Sequence, residues 1–176
     1  MSTSFSIGQN VSPFTPQMGL YNYNDAGTSA VPIPISTVGF TQLTNDTLGP
    51  QTLLTYALPS PASIWNPASN QFDFSGLSVG DQLQIRLDMQ VNVTALSRIQ
   101  LRMQFGIGAT PFTLSFRNQE YLAGAAQQIS ITQLVYIGGT LAQMNPAEVQ
   151  MMSNAAGVTC TVFGWAVQVM RLTGFP

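Results

Sequence analysis

Five carboxylates stand where acid–base chemistry could be built: Asp73, Asp81, Asp88, Glu120 and Glu148. A glycosidase needs two of them flanking one bond, one as acid and the other as base or nucleophile. Their surroundings speak against it. Asp81 falls in a turn after Val79-Gly80, and Asp88 alternates with Arg86 along one run; such positions serve turn caps and cross-strand ion pairs. The chain has no histidine, which removes the histidine-dependent triad, the imidazole base and the imidazole metal ligand. Its one cysteine, Cys160, lies in an apolar alternating run, as a small core side chain does. One cysteine forms no internal disulfide and builds no zinc site. Gly106-Ile107-Gly108 matches only a fragment of a phosphate-binding glycine loop and reads as a turn. Asp25 and Asp46, with asparagines nearby, lack the dense oxygen spacing of a calcium loop and read as turn caps. The Asn-x-Ser/Thr triplets at Asn10, Asn45 and Asn92 mark glycosylation only in a secretory pathway. The expectation is a non-enzymatic protein with no cofactor and no metal.

Charge is scarce throughout. Five arginines and seven carboxylates make 7% of the 176 residues, against about 25% in an ordinary soluble domain. Amides and hydroxyls must supply most of the wetting, so covering of apolar surface by neighbouring copies is expected. The net charge of −2 and scattered arginines offer no basic patch, which excludes nucleic acid as the expected partner. No apolar run approaches the roughly 20 residues of a membrane helix. The opening Met-Ser-Thr-Ser-Phe-Ser lacks the basic-then-apolar order of a secretory signal, so assembly in a cytoplasm is expected.

The elements that must position these residues read as strands. From Gln82 to Thr94, Leu83, Ile85, Leu87, Met89, Val91 and Val93 alternate with polar residues. After a break, Ile99, Leu101, Met103 and Phe105 alternate with Arg98, Gln100, Arg102 and Gln104. A strict period of two means strands with one dry and one wet face. The two runs, joined by four or five residues, read as an antiparallel hairpin. Shorter strands are expected at 38–44, 52–58, 112–116, 129–137 and 146–153, the last with one helical turn at Pro146 as its alternative, and a closing strand over Val158 to Val169. The phase of that last strand shifts by one at Gly164, which predicts a bulge. About eight strands with no convincing helix mean an all-β sandwich, and the alternation of long and short strands is compatible with an antiparallel jelly roll. Residues 1–37, rich in Pro and Gly and dotted with Phe5, Phe14, Met18, Tyr21 and Tyr23, read as an extended arm that docks on a partner. The sandwich domain is then 38–176.

Phe72-Asp73-Phe74-Ser75-Gly76-Leu77-Ser78-Val79-Gly80-Asp81, followed by the strand from Leu83 to Asp88, resembles trimeric jelly-roll domains of tailed-bacteriophage virions. These have a tumour-necrosis-factor-like fold and occur in capsid decoration (cement) proteins and in fibre tips. Thr110-Pro111-Phe112-Thr113-Leu114, Tyr136-Ile137-Gly138, the segment from Asn145 to Gln150, and Gly164-Trp165 echo the same pattern over residues 60–172. The resemblance implies a homotrimer on the major capsid protein of a virion, with Tyr136, Phe163 and Trp165 as trimer-interface aromatics. Its alternative is a fibre tip that binds a host surface glycan, for which Trp65, Asn66 and Asn70 are the best cluster.

Overall fold

The computed structural model describes residues 17–56, 64–108, 110–138 and 144–171. Among the described residues twelve strands, β1 (Gln17–Asn24), β2 (Ile33–Pro34), β3 (Thr41–Gln42), β4 (Gln51–Tyr56), β5 (Trp65–Asn66), β6 (Gln71–Phe72), β7 (Gln82–Asn92), β8 (Ser97–Phe105), β9 (Phe112–Tyr121), β10 (Gln127–Tyr136), β11 (Ala147–Ser153) and β12 (Thr159–Arg171), form two antiparallel sheets, with one helical turn, α1 (Gly27–Ala30). The first sheet, A, runs β10-β7-β12-β1-β4, with β2 beside β12; the second, B, runs β5-β6-β11-β8-β9, with β3 beside β11. Taken in chain order, β1, β6, β7, β8, β9, β10, β11 and β12 fall in sheets A, B, A, B, B, A, B and A, so the chain crosses between the sheets at every step but β8 to β9, and β4 is added at the edge of sheet A. The fold is an antiparallel jelly roll.

β7 and β8 do not pair with each other. β7 lies between β10 and β12 in sheet A, while β8 lies between β11 and β9 in sheet B. The expected hairpin is therefore a corner, with Val93 to Leu96 carrying the chain from one sheet to the other. Alternation reports which face of a strand is dry and leaves open which strand lies beside it. The dry faces of β7 and β8 meet across the core instead of lying side by side: Leu83 through Val93 and Ile99 through Phe105 are all buried.

The N-terminal boundary also moves. β1 pairs with β12 from Gln17↔Arg171 to Asn24↔Gly164 and with β4 on its other side. Tyr21 and Tyr23 point into the core and are almost fully buried. Residues from Gln17 to Ser36 thus belong to the sandwich, which corrects the reading of residues 17–37 as part of an extended arm; residues 1–16 lie outside the described residues. The physical cause is the alternation Gly19-x-Tyr21-x-Tyr23, in which a phenol supplies apolar area like any other aromatic while its hydroxyl keeps a polar end. The positions of Phe5 and Phe14 lie outside the described residues.

The core is bridged by aromatic rings. Trp165 of sheet A meets Trp65 edge-on at 5.9 Å, and contacts continue through Phe72, Phe74 and Phe105 to Phe112 at the edge of sheet B. The bulge falls where expected: the β12–β7 register shifts between Val162 and Gly164, leaving Phe163 as the extra residue. A bulge orphans backbone groups, which need other partners. Thr28 of α1 meets them: its hydroxyl oxygen accepts from the Val162 N–H at 2.9 Å and lies 2.9 Å from the Val162 carbonyl, sharing its one proton between that carbonyl and Asp25 Oδ2 at 2.6 Å.

Candidate interaction surface

Each carboxylate that could have been catalytic is engaged in holding the chain. Asp73 caps a turn by accepting the Ser75 N–H at 2.8 Å. Asp81, 2% exposed in its side chain, accepts the Ser78 N–H and forms a forked pair with Arg171, whose Nη2 lies 2.6 Å from Oδ2 and whose Nε lies 2.8 Å from Oδ1. Hydrogen bonding to Asp81 raises the Arg171 guanidinium above its ordinary range, against the opposing effect of burial. Asp88 pairs with Arg86 at 2.7 Å and accepts the Ser130 hydroxyl. Glu120 pairs with Arg98 at 2.9 Å, and Glu148 accepts the Gln150 amide. No group of three or more His, Cys, Asp or Glu side chains suited to a metal occurs among the described residues. The Cys160 thiol is buried, and desolvation pushes it up to about 12.

Asp25 and Asp46 interlock two loops. Asp25 accepts the Thr28 N–H and hydroxyl on one oxygen and the Asp46 N–H on the other. Asp46 accepts the N–H groups of Ala26, Gly27 and Leu48. Burial pushes the Asp46 carboxyl up, but the N–H bonds from Leu48, Ala26 and Gly27 outweigh it and hold the group below the ordinary carboxylate range. Oxygens so occupied make turn caps, as their spacing in the sequence indicated.

The glycan cluster does not form a stacking platform. Trp65 is 2% exposed, packs on Phe72 and Trp165, and donates from Nε1 to the Asn45 carbonyl at 2.9 Å. Asn66 is exposed and caps the turn that follows it by accepting the Ala68 N–H, while the half-buried Asn70, at φ 55°, accepts the Asn45 N–H and ties this turn to another loop. Trp65 is corrected to a core residue, because β5 faces inward over the other sheet.

Of the interface aromatics, Trp165 is fully buried opposite Leu87 in the middle of sheet A and is corrected likewise. Tyr136 and Phe163 are 58% and 40% exposed. Tyr136 lies beside Gln82 at one end of β7 and Phe163 at the bulge beside Asp88 and Met89, past its middle, a separation of about 20 Å at the rise of a strand. Sequence reasoning named Met18 only as a contact of the arm and missed Leu20 and Leu134; all three join Tyr136 at one end of the outer face of sheet A. Across that face the register reads Tyr136–Gln82–Met170–Met18 in one row and Leu134–Gln84–Gln168–Leu20 in the next. Beyond them Gln84, Arg86, Thr132, Ala166, Gln168 and Leu20 line a shallow hollow of about 250 Å³. The available signal was the unbroken apolar run from Leu134 to Ile137, in which two residues had to face outward.

The outer face of sheet B is different. Arg98 meets Glu120 there, and Arg102 reaches Gln150 and Gln104 beneath the Phe40 ring, 3.4 Å from its centre. Burial lowers the Arg102 guanidinium from its ordinary value, with Glu148 acting against it. This face is satisfied within the chain.

No protein-family model matches the chain, and no curated protein matches it in sequence. Among solved structures it is similar to the vertex protein P5 of PRD1 at 17% identity and a TM-score of 0.39, over 89% of this chain and 97% of that one. It is similar to a chain of infectious bursal disease virus, Gt strain, at 8% identity and 0.42, over 91% of this chain and 57% of that one. A third likeness, at 10% identity and 0.39, is to the Clostridium thermocellum endo-1,4-beta-D-xylanase 10B, of which 27% is covered. Likenesses this distant assign no family.

Proposed function

We propose that the chain is a non-enzymatic structural protein of a bacteriophage virion: a decoration or cement protein that trimerises, binds the outside of the shell formed by the major capsid protein, and stabilises it. The observation that carries this reading is the jelly-roll strand order, the architecture that the resemblance of residues 60–172 implies. Two features support it. The carboxylates spaced for chemistry are tied up in caps and ion pairs, and one sheet face carries outward apolar residues in a chain poor in charge. The protein is assembled in the host cytoplasm, and residues 1–16, with Phe5 and Phe14, contact the shell. The fibre-tip alternative loses its aromatic platform, because Trp65 is buried.

The test is reconstitution on shells of the same virus assembled without this chain. Full-length protein co-sediments with them and raises their disruption temperature, whereas a chain lacking residues 1–16 stays folded and remains in the supernatant. Full-length protein that neither binds nor stabilises such shells would overturn the reading.

A further inference from the structure

The two outward faces of the sandwich have unequal chemistry. On sheet A, Leu134 is 61% and Tyr136 is 58% exposed, and Leu20, Met18 and Met170 lie in the same two rows. Exposed apolar side chains are common singly, but a contiguous group marks a contact surface. The only charges on the outward positions of β7 are Arg86 and Asp88, and they neutralise each other at 2.7 Å. The Gln82, Gln84 and Gln168 amides make no side-chain hydrogen bond among the described residues. Sheet B instead presents Arg98 with Glu120 and the Arg102 network under Phe40.

From this asymmetry we infer that the end of sheet A carrying Leu134 and Tyr136 is the surface on which copies of this chain meet, a refinement that rests on the trimer proposed above. A second copy fits better than a charged partner for two reasons. The face has no unpaired charge to attract one, and it offers a copy of itself no like-charge repulsion. Size agrees as well. Four strands at about 4.8 Å and the full length of β7 give the whole outer face of sheet A about 700 Å² in plan, close to the roughly 800 Å² that each partner contributes to a standard interface, with the two apolar rows at one end of that face. Leu134 with Tyr136 and Met18 with Leu20 and Met170 form two apolar groups on either side of the Gln82, Gln84 and Gln168 amides, and aromatic and methionine side chains are enriched in interfaces. Gln17 and Arg171 pair at this same end, so joining here brings the starts of β1 from neighbouring copies together.

Sedimentation velocity at micromolar concentration tests the inference on wild type, Leu134→Glu, Tyr136→Glu and the sheet B control Gln100→Glu, each checked for fold by circular dichroism. Wild type and the control sediment as trimers, and the two sheet A variants as folded monomers. Trimeric wild type with both sheet A variants still trimeric would overturn this inference and leave the proposed function standing. Monomeric wild type would overturn both. Peroxide footprinting of the wild type needs no variant: Met18 and Met170 oxidise several-fold more slowly than Met152, which lies on the outer face of sheet B opposite Gln100. Equal rates in a trimer would also overturn the inference.

Discussion

Asp81 and Asp88 are seven positions apart in sequence and hold arginines in very different settings. The Asp81–Arg171 pair is nearly sealed from water, with side chains 2% and 12% exposed, while Arg86 and Asp88 are 53% and 28% exposed. Removing one partner of a buried pair leaves a charge without compensation, at about 3–5 kcal/mol. Loss of an exposed pair costs about 0–1 kcal/mol. Asp81→Asn therefore lowers the urea midpoint strongly and Asp88→Asn barely, and comparable losses would contradict the assignment. Asp46 makes a separate prediction in acid. Its folded carboxyl titrates below the ordinary range, so the stabilisation from its N–H bonds is complete above the unfolded value of about 3.9 and fades as pH falls through the folded value. Wild type then loses melting temperature between neutral pH and strong acid more steeply than Asp46→Asn, and the two curves converge in acid. Parallel curves would contradict it. At this scale the sequence was informative about capping, because Asp and Asn beside Gly announce their turns. It was silent about Asp81 and Arg171, which pair across 90 positions.

At the scale of elements, alternation located nearly every long strand and the bulge at Gly164. Period two specifies a buried face, and in a jelly roll each buried face meets the other sheet, so the partner of a strand depends on how its corner turns. That is why Gln82 to Phe105 read as one hairpin and folds as two strands in two sheets. Gly164 offers a direct test of the bulge. A Cβ there would lie 2.6 Å from the Tyr23 carbonyl oxygen and 2.8 Å from Asn24 Oδ1, and overpacking of this kind costs about 1–3 kcal/mol. Gly164→Ala should lower stability by that order in urea unfolding, and a neutral result would mean that β1 approaches less closely. The sequence hid β1 because Pro-rich flanks and tyrosines imitate a docking arm. Deleting residues 1–36 removes a strand that lies between β12 and β4 and abolishes the cooperative unfolding transition, whereas deleting residues 1–16 preserves it. A cooperative transition in the longer deletion would restore the arm boundary at residue 37.

For the whole molecule, the thin charge supply and the division of labour between the two faces belong together. Sheet B satisfies its arginines internally, while sheet A turns apolar rows outward that a solitary subunit leaves wet. In the proposed assembly, neighbouring copies would cover those rows and so add stability. The sequence showed the shortage of charge but not which face bears it, since only the register across β10, β7, β12 and β1 gathers Tyr136, Met170 and Met18 into one row. Electron cryomicroscopy of the virion that carries this chain tests the central proposal most directly. The account predicts jelly-roll density in three-fold clusters on the outside of the capsid shell, with the start of β1 directed at the major capsid protein. Density for this chain at a fibre tip, or its absence from the shell of particles that contain it, would contradict the account.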